Sequence, residues 1–184
     1  MKTTGIILLV LLGVAVLAVV LVFFFGVFNT GDMRVVFEKC IVTDPVTQQD
    51  YFNQLKEQLE NNTFTGLRIK DEPLGSPDQY VFYSYVIRLE NNTHLDASAL
   101  GITVSEVVKN NSSYEHYHDI LQICDGAEYV VPAHHSLSVT VTVLSSREVL
   151  KELDPDYRKA VVTWYYEGVD SPPDDSRRKE ISLD

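Results

Sequence analysis

The chain opens on an unbroken apolar run. Residues 5–28, GIILLVLLGVAVLAVVLVFFFGVF, carry no charged and no strongly polar side chain. In lipid a single segment satisfies its own backbone groups only as a helix. At about 1.5 Å per residue the run reaches roughly 36 Å, enough to cross a hydrocarbon core of about 30 Å with some tilt. A cleaved signal peptide is the competing reading. Its apolar region usually holds about 7–15 residues and ends on a small-x-small pattern, which is missing after Phe23-Phe24-Phe25. Residues 5–28 are therefore expected to be a transmembrane helix, with 1–4 as a short cytoplasmic N-terminus. The helix carries no G-x-x-x-G and no ionisable residue, so it reads as a passive anchor. Lys2 on one side is balanced by Arg34 and Lys39 on the other. A long polar domain tends to translocate regardless of charge, which favours the N-terminus inside and the domain outside.

After a linker at 29–32 the pattern changes to short alternating stretches. Val35, Phe37 and Ile41 alternate with Val36, Glu38 and Cys40, as in a strand. Asp44-Pro45 is a helix start, a cap followed by the first helical position. Phe52, Leu55 and Leu59 then recur at helical spacing, predicting a helix over about 46–60, stopped by Asn61-Asn62. A short strand near 67–70 and a breaker cluster over 71–78 precede the clearest β-pattern. There Val81, Tyr83, Tyr85, Ile87 and Leu89 share one face, and Tyr80, Phe82, Ser84, Val86 and Arg88 the other. Further strands are expected through Ile102 and Val104, at 120–124, at 128–131, and at 136–144, where Leu137, Val139, Val141 and Val143 alternate with Ser and Thr. Ser145-x-x-Glu148 is a capping box opening a second short helix. A last strand over 159–167 points Ala160, Val162, Trp164 and Tyr166 one way. The stretch 169–184 has no apolar periodicity and is expected to be a disordered tail.

These elements predict a mainly β domain over 33–168, an antiparallel β-sandwich with one or two short helical insertions. The aromatic strand ending in Glu90-Asn91-Asn92-Thr93, and the Val131-Pro132 turn leading into 136–144, resemble those of immunoglobulin-like and fibronectin-like extracellular modules. That resemblance covers 80–168. It implies a two-sheet module outside the cell and names no ligand.

Composition adds charge and cysteines. The formal net charge is −11, nearly all beyond the apolar run. An acidic surface disfavours nucleic acid and anionic lipid as partners. The expected partners are membrane lipid, through 5–28, and a protein or other envelope component. Two cysteines, Cys40 and Cys124, leave two readings open. Outside the cell they can pair, closing a loop of about 80 residues worth about 4–5 kcal/mol in the chain-entropy model. Otherwise they are two buried thiols. Asn61, Asn91, Asn110 and Asn111 each begin an N-x-S/T sequon, a glycan site on a surface loop in a eukaryotic secretory pathway and an Asn-rich turn elsewhere.

Little chemistry is legible. His116 and His118 lie two apart, so a strand would present both imidazoles to one metal. Zn and Cu sites normally want three or four converging ligands, and 110–119 also reads as a polar loop. The chain has no G-x-S-x-G, no H-E-x-x-H and no phosphate-cradling glycine loop, so no catalytic residue and no cofactor is expected. The ten tyrosines suggest recognition. Tyr80, Phe82 and Tyr165 could line an exposed aromatic face or pack under the helices. The reading that results is a non-enzymatic, membrane-anchored module of the cell envelope. Its alternatives are an accessory subunit of a membrane complex and a metal-binding ectodomain using His116 and His118.

Overall fold

The computed structural model describes Val16 and residues 32–68, 73–105, 119–123, 129–150, 158–170 and 175–183. Apart from Val16, the apolar run at 5–28 lies outside them. No helix among the described residues is long and apolar enough to cross a membrane.

Among the described residues the domain is mainly β, with two antiparallel sheets and one long helix. Strands β1 (Met33–Thr43), β2 (Leu67–Arg68), β3 (Tyr80–Asn91), β4 (Ala97–Ser105), β5 (Asp119–Ile123), β6 (Tyr129–Val131), β7 (Ser136–Ser146), β8 (Lys159–Tyr166) and β9 (Arg177–Ser182) follow in chain order. The five-stranded sheet runs β1-β3-β7-β5-β2 and the four-stranded sheet β6-β4-β8-β9. Tyr85, Ile87 and Leu89 of β3 and Val139, Val141 and Val143 of β7 meet Ile102 and Val104 of β4 and Ala160, Val162 and Trp164 of β8 in one buried cluster. In β8 buried and half-buried residues alternate without a break, as the sequence predicts.

β1 departs from its expected parity. Its register against β3 shifts between Phe37 and Lys39, so that Phe37 faces Ile87, Lys39 faces Val86 and Cys40 faces Tyr85. The extra residue, Glu38, is a β-bulge, which turns every later side chain to the opposite face. Cys40 packs against the core, and Ile41, expected beside Val35 and Phe37, points outward with Ser84.

The predicted helix forms as a 3-10 turn at Pro45–Gln48 continued by α1 (Gln49–Glu60). Asp44 caps it, its Oδ1 accepting from Val46 N at 3.0 Å. Phe52, Leu55 and Leu59 are its buried stripe. They cover one end of the outer face of the five-stranded sheet, where they join Tyr80, Phe82, Leu121 and Leu144 in a second cluster. The short helix α2 (Arg147–Leu150) is capped one residue later than expected. Ser146 Oγ accepts from Glu148 N, while Ser145 is still strand, buried and paired with Val81.

β5 and β6 belong to different sheets. One further expectation is corrected. The stretch 169–184 is not a solvated tail throughout, because β9 pairs with β8 from Lys159↔Ser182 to Trp164↔Arg177. Ladder hydrogen bonds to β8 hold it, with Ile181 and Leu183 turned toward the core. Arg177 and Lys179, which share the parity of Ile181 and Leu183, are charged, which hid the alternation.

Candidate functional site

The bulge in β1 builds the most distinctive surface of the domain. Beyond it Ile41 and Val42 are exposed on opposite faces of the strand, Val42 by 61%, and Val46 and Tyr51 are exposed at the start of the helical segment. An open groove of about 600 Å³ is lined by Val42, Val81, Tyr83 and Leu150, with Asp44 and Arg147 at its rim. A second shallow hollow of about 650 Å³ follows 46–51. Arg147 is fixed at the junction. Its Nη2 lies 2.9 Å from Asp44 Oδ2, and its Nε donates to Asp78 O at 3.0 Å. The pair ties β1, α2 and the turn before β3 together. An apolar floor with one charged clamp, beside an edge strand, suits side chains of a partner rather than bond-breaking chemistry.

Of the two readings left open for Tyr80 and Phe82, packing under a helix is the one the structure shows. Tyr80 is 8% exposed and Phe82 is 1% exposed. Both lie under α1, with the Phe52 ring 5.6 Å from that of Tyr80, and Tyr80 Oη accepting from Gly75 N at 2.9 Å. The helix supplies a cover that strand periodicity cannot announce. Tyr165 sits apart on β8, half-buried opposite Ser98. Sequence reasoning missed Ile41, Val42, Val46 and Tyr51 as a surface. The Glu38-Lys39 pair inside an apolar strand was the only trace of the bulge.

A second cluster lies at the turns β3–β4 and β6–β7. Asn91 is 1% exposed, and its Nδ2 donates to Leu95 O at 2.7 Å and Val131 O at 2.9 Å. Its Oδ1 accepts from Thr93 N and Thr93 Oγ1. Asn91 N donates to His135 O, and His134 N to Thr93 O. The two turns are thereby locked together. Asn91 is thus no surface sequon, since a glycan on Nδ2 would remove one of those bonds. Asn61 is exposed at the end of α1; Asn110 and Asn111 lie outside the described residues. The locked turns bring His94 and His134 into contact, His134 Nε2 lying 2.7 Å from His94 Nδ1 with rings edge to face. His134 holds φ at 58°. The sequence reading paired neither residue with the other.

His116, His118 and Cys124 lie outside the described residues. Cys40 is half-buried. No group of three or more His, Cys, Asp or Glu among the described residues is placed to hold a metal ion.

A third cluster closes the corner where the chain enters β1. Arg177 reaches Asp170 through Nε at 3.0 Å and Nη2 at 3.3 Å, and its guanidinium lies 4.6 Å above the Tyr166 ring. Tyr166 Oη donates to Asp32 Oδ1 at 3.3 Å. The hydrogen bond from Arg177 holds the Asp170 carboxyl below its ordinary range, and Asp170 in turn raises Arg177. Burial pushes the Tyr166 hydroxyl up. The arrangement is a brace between β8, β9 and the segment leading from the apolar run.

The sequence matches no protein-family model, and a search of curated proteins finds no significant relative.

Proposed function

We propose that this chain is a single-pass membrane protein whose extracytoplasmic domain is an immunoglobulin-like β-sandwich, acting as a non-enzymatic interaction module of the cell envelope. The observation that carries the interaction reading is the open groove lined by Val42, Val81, Tyr83 and Leu150, with Ile41 exposed on the other face of β1 and Val46 and Tyr51 exposed on the helical segment. Exposed apolar groups gathered in one place mark recognition surfaces on soluble domains.

Strand order supports the sandwich. Immunoglobulin-like folds set strands A, B, E and D in one sheet and G, F and C, with C′ in variable-type domains, in the other. Here β1, β3, β7 and β5 occupy the first set of places, and β9, β8, β4 and β6 the second. The D and C′ places are filled in reversed chain order, and β2 is an added edge. The membrane reading rests on 5–28, which ends only a few residues before β1.

The test uses the full chain in intact cells. A photo-crosslinking residue at Val42 should give a protein adduct that one at Thr140 does not. The chain should resist alkaline extraction from membranes and be digested by protease added outside. Release of a chain cleaved near residue 28, or protection from external protease, overturns the topology. Adducts from within 5–28 but not from Val42 would favour the accessory-subunit alternative.

A further inference from the structure

The histidine pair joins two turns that the sequence keeps about forty residues apart, and its geometry is set by backbone rather than by the imidazoles themselves. Asn91 welds the β3–β4 turn to Val131, and the exchange of Thr93, His134 and His135 backbone bonds aligns the two turns. Asp96 Oδ1 accepts from Ala133 N at 2.8 Å and adds a further tie. His94 and His134 are exposed on top of this scaffold, and their ring nitrogens approach to 2.7 Å. His134 also occupies the left-handed region, which residues other than glycine adopt sparingly and which concentrates at functional positions.

We infer that His94 Nδ1 and His134 Nε2 form a two-imidazole site for a divalent transition metal, Cu²⁺ in preference to Zn²⁺. Imidazole nitrogens bind such metals at about 2.0–2.1 Å, so two in adjacent square-planar positions stand roughly 2.9 Å apart, and two in tetrahedral positions roughly 3.3 Å. The observed separation is nearer the first. The metal takes the place of the proton between the two nitrogens, which passes to solvent or to the other nitrogen of its ring, and each exposed ring swings by roughly 45° to turn its lone pair from the N–N line onto the metal. Among the described residues these two imidazoles are the ligands at the site, and water would complete the shell. That suits Cu²⁺, which binds a given nitrogen site more tightly than the other divalent first-row ions, and ill suits a structural Zn²⁺ site with four protein ligands.

The test is a Cu²⁺ titration of the full chain in detergent micelles, read by calorimetry and by electron paramagnetic resonance. The wild-type chain should take up one equivalent with a spectrum showing two imidazole nitrogens. His94→Gln and His134→Asn should each weaken binding by about tenfold or more, a scale that even indirect metal partners reach. Asn tolerates the left-handed backbone, so His134→Asn should keep the wild-type melting temperature without Cu²⁺. His116→Gln should bind as the wild type does. Absence of binding, or binding untouched by His94→Gln and His134→Asn, or binding lost in His116→Gln, overturns the assignment.

Discussion

Two apolar clusters hold the domain, and they are made differently. The larger lies between the sheets, and its members come from strands alternating with a period of two. The smaller lies on the outer face of the five-stranded sheet, where α1 supplies Phe52, Leu55 and Leu59 against Phe82, Leu121 and Leu144. Ile87 and Phe82 sit on the same strand with opposite parity, yet both are buried. Alternation therefore names the faces of a strand, and the rest of the chain decides which faces are covered.

The largest effects should come from emptying each cluster in turn. Ile87→Ala should cost about 2–5 kcal/mol and lower the urea midpoint of the whole domain, followed by fluorescence of its single tryptophan, Trp164. Phe52→Ala removes a comparable volume, about 3–5 kcal/mol of local packing, but should free α1 first. Amides of 49–60 should then exchange faster while those of β3 and β7 stay protected. Should both variants lose all amides together, the clusters form one cooperative unit and the contrast between them fails.

Gln122 tests the junction. Leu121 beside it belongs to the smaller cluster, while the Gln122 side chain reaches the other way, to β4 of the opposite sheet. Gln122 Oε1 accepts from Val104 N at 2.9 Å, and its Nε2 donates to Ile102 O. β6 pairs β4 only over Ala97, Ser98 and Ala99, so the amide serves backbone groups further along that edge. Gln122→Leu strips these partners from buried groups, at about 1–3 kcal/mol each. The loss should fall on the larger cluster, seen as faster exchange at Val104 with α1 unchanged.

The larger cluster was the more legible in sequence. β8 alternates without a break, β7 alternates as far as Val143, and Asp44-Pro45 marks the helical segment where it occurs. What escaped was set by pairing across the chain. The bulge at Glu38 is a register event between β1 and β3, and a strand read alone keeps its parity, which put Ile41 on the wrong face. The cover over Tyr80 and Phe82 comes from α1, some twenty to thirty residues earlier. β9 has only Ile181 and Leu183 to announce it, and it is supported by the edge of β8, by the bond between Arg177 and Asp170, by the Arg177–Tyr166 stack and by the Lys159–Glu180 ion pair. The histidine pair needs two turns brought together by a buried asparagine that the sequence offered as a glycan site.

The smallest expected effect separates the clusters by pH. The smaller is apolar side chains, whereas the corner of the larger is braced by Asp170, Arg177 and Tyr166. The Arg177 hydrogen bond lowers the folded-state pKa of Asp170 below its ordinary value of 3.8. A depressed carboxyl pKa gives stability that is fully present above the unfolded-state value and lost as pH falls through the folded one. Acidification below about pH 4 should therefore loosen β9 and the 166–170 turn while α1 stays docked, since a carboxyl near 3.9 unfolded begins to matter only there. Asp170→Asn removes this titration. Its stability should be lower than that of the wild type at neutral pH, and the two curves should converge as the wild-type carboxyl is protonated. Parallel curves through that window would mean that the bond between Asp170 and Arg177 contributes nothing to the fold, and that the corner is held by the β8–β9 ladder and the Arg177–Tyr166 stack alone.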